Sequence, residues 1–520
     1  MQKRRFIKNA LFLTITSLIL RFLGVFVRIW LSNNIGAEGM GLYQLVISIY
    51  VLASAFAAGG LTTAVTRQVA DRLAFCDKKG AVKALRVSIV LTAVICAASI
   101  FIIVVFRNFI ACNIVQDARS YASLLMMCIA LPFMGFASCF KGYFLARRKA
   151  GVQSIALLLE QTVRIVLMFV FVSKFKGLGM EYAVAAVMLS DALAEGAGLC
   201  YLLIAYFVDK KHVFGGGKAQ PFKVVLRQNL HISVPITAGK YLSTFLRTTE
   251  NLIVPSNLAK YTASYKTSLE QFGMIKGMAL PILFFPASLL SSITTLLIPE
   301  MSEAKAKNDK DTIFRATEKS IKITLLSAFI FAAVFFCTAD KIGLVIYKSK
   351  SVGYLIKALS PLVPLMYLDS MSDGILKGLD KQNATFVHSL IDSVSRISLI
   401  LIFVPRFGML AFLSIMFVSN ALTCFLNTGK LLKTIGSKFP VVKLFLLPLF
   451  LVVLSSGITA FILLEINILS DALYIVFFMI LDIAIYLLFL LLTGQLKDMQ
   501  KLSKNKRFGF KKSSKIRASK

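Results

Sequence analysis

Residues 87–106 read VSIVLTAVICAASIFIIVVF, a stretch with no charge, set between Arg86 and Arg107. A helix rises 1.5 Å per residue, so about 20 apolar residues cross the hydrocarbon core of a bilayer. This stretch is therefore expected to span a membrane. The same window, moved outward, finds runs of that kind along the whole chain. Five more lie in the first half, at 10–31, 41–65, 121–140, 152–172 and 182–207. Six follow at 231–254, 273–298, 321–338, 355–376, 386–404 and 409–426, and two close the chain at 441–464 and 473–492. The expected fold class is an all-α integral membrane protein of about fourteen transmembrane helices.

Composition agrees. Of 520 residues, 57% are hydrophobic and 16% charged, against roughly a quarter charged in an ordinary globular chain. The net charge of +34 would suit a nucleic-acid binder, but the basic residues lie in connectors and in the tail, beside spans of membrane length. No nucleic-acid partner is expected. The eight cysteines include no C-x-x-C pair, so reduced thiols are expected and no metal site.

Alternate connectors are rich in Lys and Arg: 67–86, 141–149, 210–227, 305–322 and 430–443. The connectors 31–41 and 465–471 hold none. The positive-inside rule then places both termini on the cytoplasmic side. The tail from Lys497 to Lys520 carries ten Lys or Arg and is expected to be drawn to anionic lipid, at about 1 kcal/mol per charge near the surface.

An internal repeat organises the chain. Gly41 recurs as Gly273, 273 − 41 = 232 residues on, and Asp77-Lys78 recurs as Asp309-Lys310 at the same offset. So do Pro132 and Pro364, and Glu160 with Arg164 as Asp392 with Arg396. Arg21 and Arg28 correspond to Lys240 and Arg247 at an offset of 240 − 21 = 219. The expected organisation is a six-helix half (1–209), a cytoplasmic linker (210–229), a second half (230–432), two added helices (433–494) and a basic tail (495–520). Six is even, so the halves share one orientation, a recurrent plan of transporters that rock about a central cavity.

Charges inside spans cost about 2.5–3.5 kcal/mol at the bilayer centre on the insertion scale. Arg21 and Arg28 lie two turns apart on one helical face, as do Lys240 and Arg247; Lys276 lies one turn into the eighth span. A cation-lined cavity between the halves is the functional reading, suited to an anionic group. Against it, Arg28 can snorkel outward and Arg247 can pair with Glu250. Glu160/Arg164 and Asp392/Arg396 have the favourable i, i+4 order of a structural ion pair within one helix. Asp191 with Glu195, and Asp369 with Asp373, lack a nearby base; like charges on one face raise at least one pKa, as an ion-coupling site requires, with plain cavity polarity the other reading, and Lys377 is an alternative partner for Asp373. Pro235, Gly239, Pro281 and Pro286 are expected to interrupt the seventh and eighth spans. Enzyme motifs are absent and no cofactor is expected. Gly215–Gly217 and Lys218 read as a flexible linker.

The run Arg21-Phe-Leu-Gly24, followed by Asn34-Ile-Gly-Ala-Glu-Gly-Met-Gly-Leu-Tyr-Gln44, resembles the opening of polysaccharide-export proteins. These belong to the multidrug/oligosaccharidyl-lipid/polysaccharide (MOP) flippase superfamily. Two stretches are similar to its stage V sporulation protein B branch: one from Gly277-Met-Ala-Leu-Pro281 through Phe285-Pro286 to Ile298-Pro-Glu-Met-Ser-Glu-Ala304, and Leu376-Lys-Gly-Leu-Asp-Lys-Gln382. The resemblance implies a transporter of lipid-linked sugars in the bacterial cytoplasmic membrane, with an undecaprenyl-linked peptidoglycan precursor such as lipid II as cargo and the spore cortex as its use. It also implies cavity arginines in the first and eighth helices. Arg21 and Arg28 match the first set; the eighth helix offers Lys276 instead. A cation-coupled drug antiporter of the same superfamily and a membrane glycosyltransferase stand as alternatives.

Overall fold

The computed structural model describes residues 2–210, 221–436, 442–466 and 470–495. Residues 211–220, half of the expected linker and including the glycine-rich segment at 215–218, and the basic tail from 496 on lie outside the described residues. Those described form fourteen long helices and no strand. In chain order these are α1 (2–35), α2 (37–74), α3 (Lys78–Val105), α4 (Tyr121–Ala146), α5 (Ala150–Phe175), α6 (Met180–Lys210) and α7 (Phe222–Thr262). They continue as α8 (265–306), α9 (Lys310–Tyr347), α10 (Lys350–Gly378), α11 (382–407), α12 (409–435), α13 (Leu447–Glu465) and α14 (Asp471–Leu492).

Two expected connectors shrink to one residue each. The helix runs to residue 35 and resumes at 37, with Gly36 at φ 70°, ψ −177°; Gly408, at φ 58°, ψ −135°, separates α11 from α12. Both lie in the left-handed half of backbone space, open to glycine and strained for residues with a Cβ. The polar segments around them stay helical because nothing else in them breaks a helix. The seventh span also differs from expectation. α7 runs unbroken through Pro235 and Gly239, and the irregularity falls in α8 as a π-helical turn, Met274–Ala279, ahead of Pro281.

The repeat is written into the backbone. Cys76, Gln116 and Arg148 have positive φ (59°, 60° and 57°), and so do Asn308, Lys348 and Asp380 (55°, 53° and 56°), each 232 residues later. The connectors of the two halves therefore turn in the same way. Asp77 caps α3 by accepting from Gly80 N at 2.8 Å, and Asp309 caps α9 by accepting from Thr312 N at 3.0 Å. A side-chain oxygen at this position satisfies an N–H that the first helical turn leaves open.

Contacts divide the chain into two compact units, Met1–Met278 with Arg396–Phe412, and Ala279–Ser395 with Leu413–Lys520. In the first unit, α7 is tied to α2: Thr248 donates to the Ser48 carbonyl at 3.0 Å and Asn251 Nδ2 donates to Ser48 Oγ at 3.0 Å. In the second, α13 and α14 pack on each other and on α9 through a core that includes Phe329, Leu451 and Phe478.

α2 and α8 meet backbone to backbone, also within the first unit. A Cβ on Gly41 would lie 2.2 Å from the Leu269 carbonyl oxygen, and one on Gly273 would lie 2.0 Å from that of Ala37. Since 41 + 232 = 273 and 37 + 232 = 269, the two contacts are the same contact seen from each repeat. Small residues at a crossing are what permit helices in lipid to approach so closely.

Gly273→Ala should therefore force α2 and α8 apart. The expected cost is about 1–3 kcal/mol, the range for overpacking, read as a lower unfolding temperature in detergent. Asp309→Ala should cost about 1 kcal/mol, the usual value of a lost N-cap. The Thr312 hydroxyl and amide hold the Asp309 carboxyl below the usual carboxylate range. A depressed carboxyl stabilises above its unfolded pKa and loses that contribution as pH falls through the folded one. The stability gap between Asp309→Ala and the parent should thus persist at neutral pH and close only in acid.

Candidate functional site

The cations expected to line a cavity fall into two groups. Arg28 on α1 and Lys240 and Arg247 on α7 are exposed, and none has an ion-pair partner among the described residues. Arg21 is half-buried on α1. Lys276 behaves differently: its Nζ lies 3.2 Å from Glu250 Oε1. Glu250, 4% exposed, also receives Arg396 of α11, whose Nη1 lies 3.3 Å from each carboxylate oxygen. Lys276 is thus neutralised in this structure. The Arg247–Glu250 pair considered from sequence does not form, because the acid is taken by two cations from other helices. Glu250 is buried, where an unpaired charge is costly and a second cation is well accommodated. The π-turn brings Lys276 to it; such turns shift the register of a helix by one residue and recur at functional sites.

The acids also correct the expectation. Asp191 and Glu195 on α6 do not lack a base: Arg164 of α5 stands 2.7 Å from Asp191 Oδ1 and 3.6 Å from Glu195 Oε1. The expected pair within α5 is not formed; Glu160 instead takes Lys141 of α4 at 2.8 Å. A helix-surface pair is worth a few tenths of a kcal/mol, whereas a buried acid paired with a half-buried base on a facing helix is neutralised where its carboxylate has little water. In the second unit Asp392 accepts from the Ser419 hydroxyl and Asp373 holds Lys377 Nζ at 2.6 Å. Asp369 accepts from Asn427 Nδ2 at 2.8 Å. The Asn427 Oδ1 in turn lies 2.7 Å from His388 Nδ1. An amide that donates to Asp369 presents its oxygen to an Nδ1–H of His388, which gives a polar row across α10, α12 and α11.

Sequence reading missed Lys141, Asn427, His388 and Ser419, all of which are partners supplied by other helices. It also passed over Asp482, whose signal was plain: an acid in the middle of the apolar run 473–492.

The family model described as polysaccharide biosynthesis protein matches residues 6–305. Stage V sporulation protein B of Bacillus subtilis (strain 168) is 28% identical over 411 residues, 78% of this chain and 79% of that protein. Sporulation protein YkvU of the same organism is 22% identical over 398 residues, 76% and 87% of the two chains. Among solved structures, the lipid II flippase MurJ in an inward closed conformation superposes with a TM-score of 0.70 at 14% identity, covering 93% of this chain and 98% of that one. An inward-facing multidrug resistance MATE family transporter of the MOP superfamily gives 0.62 at 15% identity, covering 81% and 98%. The fold is thus the one these transporters share, and the chain is a multi-pass membrane protein.

Glu250→Ala removes the buried acid that the half-buried Lys276 and Arg396 share. The expected loss is about 3–5 kcal/mol, the range for breaking a buried pair from one side, measured by thermal unfolding in detergent. Replacing Lys276 by Met together with Glu250 by Gln should recover part of it.

Proposed function

The chain belongs to the polysaccharide biosynthesis protein family, and on that premise we propose that it is a flippase that carries a lipid-linked oligosaccharide across the cytoplasmic membrane by alternating access. The observation that carries this reading is the set of exposed cations without acidic partners, Arg28, Lys240 and Arg247, on helices α1 and α7. Ionisable groups within spans face water-filled space or a partner, and an anionic head group is the partner these side chains suit. Guanidinium forks fit phosphate oxygens, so a pyrophosphate-linked sugar is bound by Arg21, Arg28, Lys240 and Arg247. Lys276 is reached only by competition with Glu250, which makes it a contact that forms as substrate enters.

The cargo is an undecaprenyl-linked peptidoglycan precursor such as lipid II, and the setting is the spore cortex. The likeness to two sporulation proteins of Bacillus subtilis and to the fold of a lipid II flippase supports both. Both termini lie in the cytoplasm, with the tail at 495–520 on anionic lipid, as the distribution of basic residues supports. A drug antiporter would work through acids, and the acids of α6 are held by Arg164.

Proteoliposomes loaded with labelled lipid II test the reading. Protein-dependent flipping is expected, and Arg247→Ala should slow it at least about tenfold, since a charge-assisted hydrogen bond is worth about 1.5–3 kcal/mol and 1.4 kcal/mol is tenfold. Absence of flipping overturns the cargo, ethidium efflux in its place points to the antiporter, and covalent turnover points to an enzyme. Undiminished flipping by Arg247→Ala removes that residue from the path.

A further inference from the structure

Asp482 is fully buried at the middle of α14. Its Oδ1 lies 2.7 Å from Ser455 Oγ and its Oδ2 lies 2.8 Å from Ser456 Oγ, both on α13. Neither α13 nor α14 contains a Lys, Arg or His, and among the described residues no base lies within ion-pair distance of Asp482. The groups facing it from α9 do not neutralise it. Cys337 is a thiol without positive charge, Lys341 is taken by Asp471, and Lys357 of α10 lies beside Asp340. Among the described residues no positive charge compensates this carboxyl.

The serines supply the rest of the geometry. Ser455 has one hydroxyl proton and two acceptors in reach, the Val452 carbonyl at 3.0 Å and Asp482 Oδ1 at 2.7 Å. When Asp482 is protonated, its own O–H donates to Ser455 Oγ, Ser455 donates to Val452, and Ser456 donates to Oδ2. When it is ionised, Ser455 rotates and donates to Oδ1 instead. Both states keep this set of hydrogen bonds satisfied, and the change between them is one hydroxyl rotation. Two further hydroxyls are buried with no hydrogen-bond partner among the described residues: Thr459, one turn from Ser455, and Tyr486, one turn from Asp482. Unpaired buried hydroxyls are costly.

We propose that Asp482, with Ser455 and Ser456, is a reversible proton-binding site in the two helices added to the repeat, and that its protonation is coupled to transport. The site rests on geometry alone. Its coupling to transport rests on the flippase reading.

Infrared spectroscopy of the full chain in lipid nanodiscs, titrated with pH, tests the site without reference to cargo. The parent should show a protonated-carboxyl band that disappears as pH rises and that is missing in Asp482→Asn. Ser455→Ala should move the band, because the acid loses the oxygen it donates to. Parent and Asp482→Asn spectra that coincide at every pH, or a band in Ser455→Ala that does not move, overturn the site. In proteoliposomes, a pH gradient should alter the rate of lipid II flipping in the parent and not in Asp482→Asn. An equal response in both overturns the coupling. A parent that moves no lipid II overturns the cargo and the coupling with it, and leaves the infrared result to decide the site.

Discussion

The close crossing of α2 and α8 at Gly41 and Gly273 is the constraint from which much else follows. Helices in lipid gain nothing from hiding apolar surface, since the tails around them are as apolar as leucine. What holds two such helices together is close packing, and here each backbone lies where the other's Cβ would be. That the two contacts are one contact repeated at an offset of 232 means that both halves bring the same surface to the crossing. The crossing also fixes the π-turn that begins at Met274, one residue after Gly273. Lys276 therefore reaches Glu250 from a position set by a glycine contact, and the charged centre of the first unit depends on packing that contains no charge.

The second constraint is charge neutrality away from water. Arg164 answers Asp191 and Glu195, Lys141 answers Glu160, and Glu250 answers Lys276 and Arg396. In every case the partners come from different helices. Such pairs fix helix positions as much as they stabilise, because removing one member costs more than the pair contributes. Among the described residues Arg28, Lys240 and Arg247 have no such partner, which is the observation on which the proposed binding site rests.

Much of the fold was legible because membrane helices and repeats are one-dimensional signals. The run at 87–106 needs only a length and a composition, and Asp77-Lys78 with Asp309-Lys310 needs only an offset. The site was less legible because ion pairing is three-dimensional. The i, i+4 rule ties Glu160 to Arg164, yet the buried geometry gives Arg164 to α6 and Glu160 to α4. The absence of a base near Asp191 was read along one helix, whereas its base lies on another. Gly36 and Gly408 were hidden for a related reason: a single glycine can replace a loop, and the polar residues around it looked like one.

The departures from symmetry are as informative as the repeat. Arg164 and Arg396 are equivalent at the offset of 232, but they do not find equivalent partners. In the first half the acids stand on α6. The equivalent helix of the second half, α12, holds no acid anywhere between residues 409 and 435, and Arg396 turns to Glu250 on α7. The position equivalent to Lys276 is Gln44, since 276 − 232 = 44, and that equivalent to Glu250 is Leu31, since 250 − 219 = 31. Arg164 is thus held by two acids of α6, whereas Glu250 is shared by Lys276 and Arg396, on an α7 that also carries exposed cations. Matching connectors with unequal charge are what the proposed flippase would need, since a ligand favours one of two states only through a differential interaction with them.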